Sequence, residues 1–468
     1  MDFKSRIDYL ITAPDCRHHQ IEDGTHHFCY QDLPQLWQYL DTKFSDLSFN
    51  QQTCFSFECD NSVSSALTLL YLLYHGHGFV LLPPSGDLKK EPDFKPSIPQ
   101  FCQYHLDTDK TAFSGNFLAI TENAKWQQGQ HALTNFSKKL YLRTSGSMGN
   151  AKVVVHAHQH LYGNVNNCIQ RFQLVASDRV LIPIPIFHMY GLGAGFLPTV
   201  MAGANCSLQQ NTNILTYIGR ERQFKPNCIF ITPTLVDMLV KIRRDARTYK
   251  LVVTAGDRIN PDIFQSFVDK YGSLVNLYGS SEMGAIATSV RDKPLLKLMP
   301  QVQMHLQDKI KDKGKLLCQH PFGFERYINE FGEPLSTSID VNQYDTGDLG
   351  QLYENDYINV LGRSGNSINR NGFLVLFSDI ETKMETLTAV NKVVVIASQQ
   401  QTKIGQQLTA FCILPAKSDE EAGSIREQCF TCLPKYAIPD KITVLKNFPT
   451  LPNGKIDRQH LIKIATNA

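Results

Sequence analysis

Lys139-Leu140-Tyr141-Leu142-Arg143-Thr144-Ser145-Gly146-Ser147-Met148-Gly149-Asn150-Ala151-Lys152-Val153-Val154-Val155-His156 places two short apolar runs around a loop of glycines and hydroxyls. Lys139–Arg143 and 152–156 read as strands, being rich in residues that fit a pleated surface. His158–Phe172 follows, with Leu161, Val165, Cys168 and Phe172 at helical spacing. The alternation continues with strands at 179–184 and Cys228–Ile231, a helix at 234–244, a strand at 251–254 and a helix at Pro261–Tyr271. Pro233 and Pro261 suit helix starts, where the missing N–H has no helical partner to lose. Strands alternating with helices predict an α/β fold with largely parallel sheet. After Gly350 the texture changes to short strands, a glycine-containing segment and a small strand–helix module. A boundary within 363–366 divides the chain into an N-terminal domain, 1–364, and a C-terminal domain, 365–468.

Composition narrows the function classes. The chain has 468 residues, more than one ordinary core, with 42% hydrophobic residues and a formal charge of +2. The charge is spread without a basic stripe, so no nucleic-acid partner is expected. Met1-Asp2-Phe3-Lys4-Ser5-Arg6 lacks the apolar core of a signal peptide. Segment 63–74 is too short to span a bilayer, and 180–204 is interrupted by prolines, glycines and His188. Both read as buried core, and a cytoplasmic protein with no membrane span is expected. The twelve cysteines are scattered. Cys429 and Cys432 form a lone C-x-x-C, and Cys16, His18, His19, His26, His27 and Cys29 lack regular ligand spacing. Reduced thiols and surface histidines account for both groups.

In the loop Thr144 to Lys152, glycines let backbone N–H groups turn toward a phosphate, hydroxyls add donors, and lysine adds charge. The spacing is not that of a Walker loop. Read alone, the segment fits a flexible surface loop better than a phosphate cradle. Further segments give it company: Pro185-Ile186-Phe187-His188-Met189-Tyr190-Gly191, Asn276-Leu277-Tyr278-Gly279-Ser280-Ser281-Glu282 and Tyr344-Asp345-Thr346-Gly347-Asp348. Gly362-Arg363 through Glu381, and Leu451-Pro452-Asn453-Gly454-Lys455-Ile456-Asp457-Arg458, complete the series. In this order they resemble the motifs of the adenylate-forming (AMP-binding) superfamily: acyl- and aryl-CoA synthetases, peptide-synthetase adenylation domains and luciferases. His75-Gly76-His77-Gly78, followed by Pro83-Pro84, is a weaker match to an early glycine-rich motif.

The resemblance implies a large N-terminal domain of mixed, largely parallel sheets flanked by helices, and a small mobile α+β C-terminal domain. It implies ATP and Mg2+, a carboxylic acid activated as acyl-AMP, and transfer to the thiol of CoA or of phosphopantetheine on an acyl carrier protein. Attack of a carboxylate on the α-phosphate builds negative charge, so donors and cations are needed there. By resemblance, Thr144, Ser145, Gly146, Ser147, Gly149 and Lys152 hold the phosphates. Gly256, Asp257, Arg258, Gly279 and Ser281 line the nucleotide, and Tyr278 lies against adenine. Asp348 accepts from the ribose hydroxyls, with Arg363 beside it. Glu282 ligates magnesium, whose hard character suits a carboxylate. Lys455 is the main catalytic residue, bridging the acid and the nucleotide. His188 stands at the acid pocket with Gly279, Met283 and Gly284, and Gly365 is the hinge.

Several positions depart from the family pattern. Gly365 replaces a charged hinge residue, Asn369 a lysine, Met148 a hydroxyl and Ala151 a proline. Phe187-His188-Met189-Tyr190 lacks the aspartate that receives an amino acid's amine, which implies a non-amino aryl or fatty acid. Leu433-Pro434-Lys435-Tyr436-Ala437-Ile438-Pro439 and the terminal motif instead resemble peptide-synthetase domains. An amino-acid adenylating enzyme therefore stays open, as do a non-catalytic nucleotide-binding relative and a luciferase-type oxidoreductase.

Overall fold

The computed structural model describes residues 2–45, 47, 49–85, 95–109, 117–126, 135–143, 152–210, 212–242, 247–256, 259–290, 295–335, 343–370, 373–402, 405–415, 421–450 and 456–467. Two large sheets organise it. In the first, Gln20–Glu22, Asn205–Leu208, Arg179–Ile182, Cys228–Ile231, Tyr249–Ala255 and Gly272–Ser280 run parallel, each paired to the next. Gly284–Ser289, Leu296–Leu298, Tyr357–Arg363, Tyr344–Tyr353, Lys313–Gln319 and Gln303–Ile310 extend that sheet in antiparallel pairs. The second sheet has a parallel centre of Lys139–Arg143, Gly78–Leu82, Cys54–Glu58 and Tyr104–Thr108. Val153–Ala157, Arg326–Ile328 and Leu118–Glu122 flank it in antiparallel pairs. Parallel pairing thus fills the middle of the second sheet and one half of the first, which His27–Cys29 ends in an antiparallel pair with Gln20–Glu22.

Local chemistry explains most element ends. The strand expected over 179–184 stops at Ile182, because Pro183 and Pro185 have no N–H to give a ladder. The helix expected over 234–244 is Pro233–Ile242, and residues 243–246 lie outside the described set. Tyr249–Ala255 is longer than the apolar run 251–254, and Val153–Ala157 starts one residue later than expected. Asn260 caps Pro261–Tyr271 by accepting from the backbone of Asp262 and Ile263 at 2.8 and 3.4 Å. Helix Val63–His75 is buried almost all round, so segment 63–74 is core, as its sequence implied.

Side-chain alternation divides the strand after the glycine loop. Val153 and Val155 enter one hydrophobic cluster with Val80, Leu82 and Tyr141. Val154 faces the main cluster, which joins Phe55 and Leu81 of one sheet to Ile182, Phe230 and Val253 of the other. His156, two residues from Val154, lies on that same face. Beyond residue 366 a separate cluster gathers Ile368, Ile380, Val395, Ala410, Ile425 and Ile442. Its frame is the hairpin of Ser367–Arg370 with Phe373–Leu376, and a three-stranded sheet of Lys392–Thr402, Gly405–Ile413 and Lys441–Val444. Leu349, Leu361 and Leu376 form a small buried contact between the two parts.

Candidate active site

The parallel strands Tyr249–Ala255 and Gly272–Ser280 end side by side, with Ala255 paired to Leu277. In α/β sheets the carboxyl ends of such strands are where ligands bind. Gly256 follows at φ +97°, with nothing within 4 Å of a built Cβ. Only the backbone conformation there demands glycine. Tyr278 donates from its hydroxyl to Asp348 Oδ2 at 2.6 Å. Asp348 sits opposite Arg363 in the antiparallel pair, and the Arg363 Nε lies 3.3 Å from Asp348 Oδ1. Arg363 also donates to the Thr346 carbonyl at 2.9 Å. Burial lifts the Asp348 carboxyl above its ordinary value, against the opposing pull of Tyr278 and Arg363.

A second carboxylate lies at the turn joining Gly272–Ser280 to Gly284–Ser289. Ser280 Oγ accepts from the Met283 N–H at 3.0 Å, and the Glu282 carbonyl accepts from Phe324 at 2.8 Å. The Tyr327 hydroxyl donates to Glu282 Oε1 at 2.7 Å and lies 3.4 Å from the Tyr344 hydroxyl. The Lys152 ammonium sits 5.2 Å from the centre of the Tyr327 ring. His156 Nε2 is 2.7 Å from the Ser281 carbonyl oxygen. Burial depresses this imidazole to about 4, so near neutral pH it is uncharged. Facing a carbonyl, Nε2 must carry the proton.

Gly279 and Gly284 let this turn close. A Cβ on Gly279 would come within 2.3 Å of the Gly284 carbonyl oxygen. Gly284 has φ +63°, and a Cβ there would lie 2.6 Å from Asn164 Oδ1. Asn164 accepts from the Ala285 N–H at 2.9 Å and donates to the Gly193 carbonyl at 3.0 Å. Met283 is buried, near enough to Gly323 that a Cβ there would meet its sulfur at 2.6 Å.

His188 is exposed, its ring tilted 4.2 Å from that of Phe187. It precedes a π-helix, Tyr190–Phe196, that continues as the α-helix Leu197–Met201. Asn61 holds the approach, donating to the Ile182 and Ile184 carbonyls and accepting from the Ile186 N–H. The Tyr190 hydroxyl lies 3.0 and 2.8 Å from the Ile231 and Val253 carbonyl oxygens. Asn164, through Gly193 and Ala285, ties this helix to the Glu282 turn.

Residues 102–327 match the family model described as AMP-binding enzyme. The chain carries an AMP-binding enzyme domain. The matched stretch holds Lys152, His188, Tyr278, Glu282 and Tyr327, while Asp348, Arg363 and Gly365 lie beyond it. The 2-succinylbenzoate–CoA ligase of Listeria innocua is 24% identical over 68% of this chain and 68% of its own length. The mitochondrial medium-chain acyl-CoA ligase of Bos taurus is 26% identical over 67% of this chain, but the match spans only 55% of that protein. Among solved structures, ATP-bound MatB of Rhodopseudomonas palustris has a TM-score of 0.78 at 17% identity, covering 100% of this chain and 99% of its own. That is a likeness of fold.

The AMP-binding domain and the strands after it thus bring Lys152, Tyr278, Glu282, Asp348 and Arg363 into one neighbourhood. Tyr344 links the two carboxylate centres, sharing a strand with Asp348 and a hydroxyl contact with Tyr327. Thr144, Ser145, Gly146, Ser147, Gly149, Asp257, Arg258 and Lys455 lie outside the described residues. Sequence reasoning missed Tyr327, His156 and Asn164. Tyr327 sits on a three-residue strand with no motif, whereas His156 follows directly on the run Val153-Val154-Val155. It also missed a pairing near the terminal motif. Arg458 donates to Glu381 Oε1 at 2.8 Å and to the Val395 carbonyl at 2.7 Å.

Among the described residues, no group of three or more His, Cys, Asp or Glu is placed to hold a metal ion. Cys429 and Cys432 are free thiols, and the His19 imidazole contacts the Gly203 carbonyl at 2.8 Å. Nor is any described helix long and apolar enough to cross a membrane.

Proposed function

We propose that the chain is an ATP-dependent acid–thiol ligase acting on a non-amino carboxylic acid, aryl or fatty acyl. The carboxylate attacks the α-phosphate of ATP, forming acyl-AMP and releasing pyrophosphate. A thiol then attacks the acyl carbon, forming the thioester and releasing AMP. One observation carries the reading: within and beside an AMP-binding domain, Glu282 and Asp348 stand in linked tyrosine networks beside the ends of parallel strands. Both curated relatives described above are named as CoA ligases, which supports CoA as the acceptor. Carrier-bound phosphopantetheine offers the same thiol chemistry.

The described residues fit the reactants. Magnesium is commonly held by one or two carboxylates together with substrate phosphates, and Glu282 offers one half-buried carboxylate near Lys152. When bound, the cation supplies charge neutralisation on the phosphates. Asp348, held by Tyr278 and Arg363, is an acceptor for the ribose hydroxyls. Lys152 and the loop from Thr144 are assigned to binding the phosphates, and Lys455 to neutralising charge between the acid and the nucleotide. His188, Gly279, Met283 and Gly284 are assigned to the acid. Residues 365–468 act as a lid turning about Gly365, where a built Cβ meets nothing within 4 Å. All twelve cysteines are free thiols, which suits a reducing compartment such as the cytoplasm.

The test is pyrophosphate release with ATP and Mg2+ against aryl, fatty and amino acids, with and without CoA. Release with one non-amino class, lost in Lys455→Ala, supports the reading. Release only with amino acids replaces the substrate class. ATP binding without release for any acid leaves a non-catalytic nucleotide-binding protein, and oxygen uptake would mark luciferase-type chemistry.

A further inference from the structure

Tyr327 touches both the charge expected at the phosphates and the carboxylate expected at the cation. It comes from the edge strand Arg326–Ile328, where it pairs with Val154, two residues after Lys152. Glu282 comes from the other large sheet's turn. The Tyr327 hydroxyl hydrogen faces Glu282 Oε1 at 2.7 Å, and a carboxylate can only accept. This contact consumes one lone-pair site of about four, so the carboxylate keeps capacity for a cation. The opposite aspect of the residue is its ring, with the Lys152 ammonium 5.2 Å from the centroid. The ring is itself fixed, packed 4.8 Å from that of Phe324.

We infer that Tyr327 is a positioning residue that sets two parts of the site in register. Its hydroxyl aims Glu282 at the divalent cation, and its ring supports Lys152 toward the phosphates. Ligand-orienting partners of this kind govern metal affinity without touching the metal. The inference rests on the reading that Glu282 meets Mg2+, and the test separates the two.

The measurement is ATP binding by titration calorimetry over a range of Mg2+ concentrations and in EDTA. It uses the full chain as wild type, Glu282→Gln, Tyr327→Phe and Tyr327→Leu, each with its melting temperature. Tyr327→Phe keeps the ring and its packing. It is expected to raise the Mg2+ concentration at half-effect about 10- to 100-fold, with ATP affinity in EDTA and the melting temperature unchanged. Tyr327→Leu removes the ring as well, and is expected to weaken ATP binding in EDTA about 2- to 30-fold. A merely structural tyrosine would move the melting temperature and leave the Mg2+ dependence of Tyr327→Phe alone. If Glu282→Gln shifts the Mg2+ dependence and Tyr327→Phe does not, the inference is overturned and the reading of the site stands. If neither shifts it, the assignment of Glu282 fails first and takes the inference with it.

Discussion

Asp348 and Glu282 are the same chemistry in two settings. Each is a carboxylate that accepts from a tyrosine hydroxyl, at 2.6 Å from Tyr278 and 2.7 Å from Tyr327. Asp348 has its cation built in, with Arg363 at 3.3 Å, and is 7% exposed. Among the described residues no lysine, arginine or histidine makes an ion pair with Glu282. A charge-compensated carboxylate suits neutral hydroxyls, whereas one held by a tyrosine hydroxyl keeps more of its charge for a metal ion. The difference supports the proposed ribose role of Asp348 and the proposed cation role of Glu282, and it can be attacked from both sides.

The largest effect belongs to Glu282→Ala. A cation at a transferring phosphoryl group supplies several kcal/mol, so kcat/KM for pyrophosphate release is expected to fall at least about 100-fold. Excess Mg2+ should recover part of that loss. Asp348→Asn comes next. Hydrogen bonds to a charged group contribute about 1.5–3 kcal/mol, which predicts about a 10- to 100-fold weaker ATP affinity. That loss should be the same at low and high Mg2+. If the two variants exchange these Mg2+ signatures, the assignment is reversed.

The aspartate half also makes a pH prediction. In the proposed role, ribose hydroxyls would donate to the ionised form, and burial raises the Asp348 carboxyl. ATP affinity should therefore decline, as pH falls, at a higher pH than an ordinary aspartate would allow. Arg363 favours the ionised form, so Arg363→Met should move this acid limb to higher pH still, measured by ATP binding across pH. An unmoved limb would remove Arg363 from the aspartate's environment.

A smaller effect tests the turn that carries Glu282. Gly284→Ala places a Cβ 2.6 Å from Asn164 Oδ1 at φ +63°. It is expected to cost about 1–3 kcal/mol of stability, seen as a lower denaturant midpoint. Gly365→Ala is expected to be nearly silent, within about 0.5 kcal/mol, because its Cβ meets nothing within 4 Å. Its use is kinetic: thioester formation should slow while pyrophosphate release does not. Equal effects on both half-reactions would count against Gly365 as the hinge.

The sequence made the fold readable where local patterns repeat. The valines at 153–155, the helical spacing of Leu161, Val165 and Cys168, and Pro261 behind Asn260 each state an element in a few adjacent residues. Tyr278, Glu282 and Asp348 were legible because short motifs surround them. The connections between them were not. Tyr327 reaches Glu282 from 45 residues away, and Arg458 reaches Glu381 from 77. Such pairings exist only after both sheets have formed, and no periodicity records them. The extent of antiparallel strand flanking the parallel centre was likewise hidden, since short strands such as Leu296–Leu298 and Arg326–Ile328 carry too few residues to show alternation. The buried Arg370, whose Nη2 donates to both Asp440 carboxylate oxygens at 2.9 and 3.0 Å, is another long-range product of the fold.

The central claim is that the carboxylate of the acid attacks the α-phosphate. Once an active acid is found, it can be supplied with both carboxylate oxygens labelled as oxygen-18, together with ATP, Mg2+ and CoA, and the released AMP weighed by mass spectrometry. Adenylation followed by thiolysis leaves one labelled oxygen on the phosphate of AMP, because the bridging oxygen departs with the nucleotide. Unlabelled AMP, or label in inorganic phosphate beside ADP, would contradict the account.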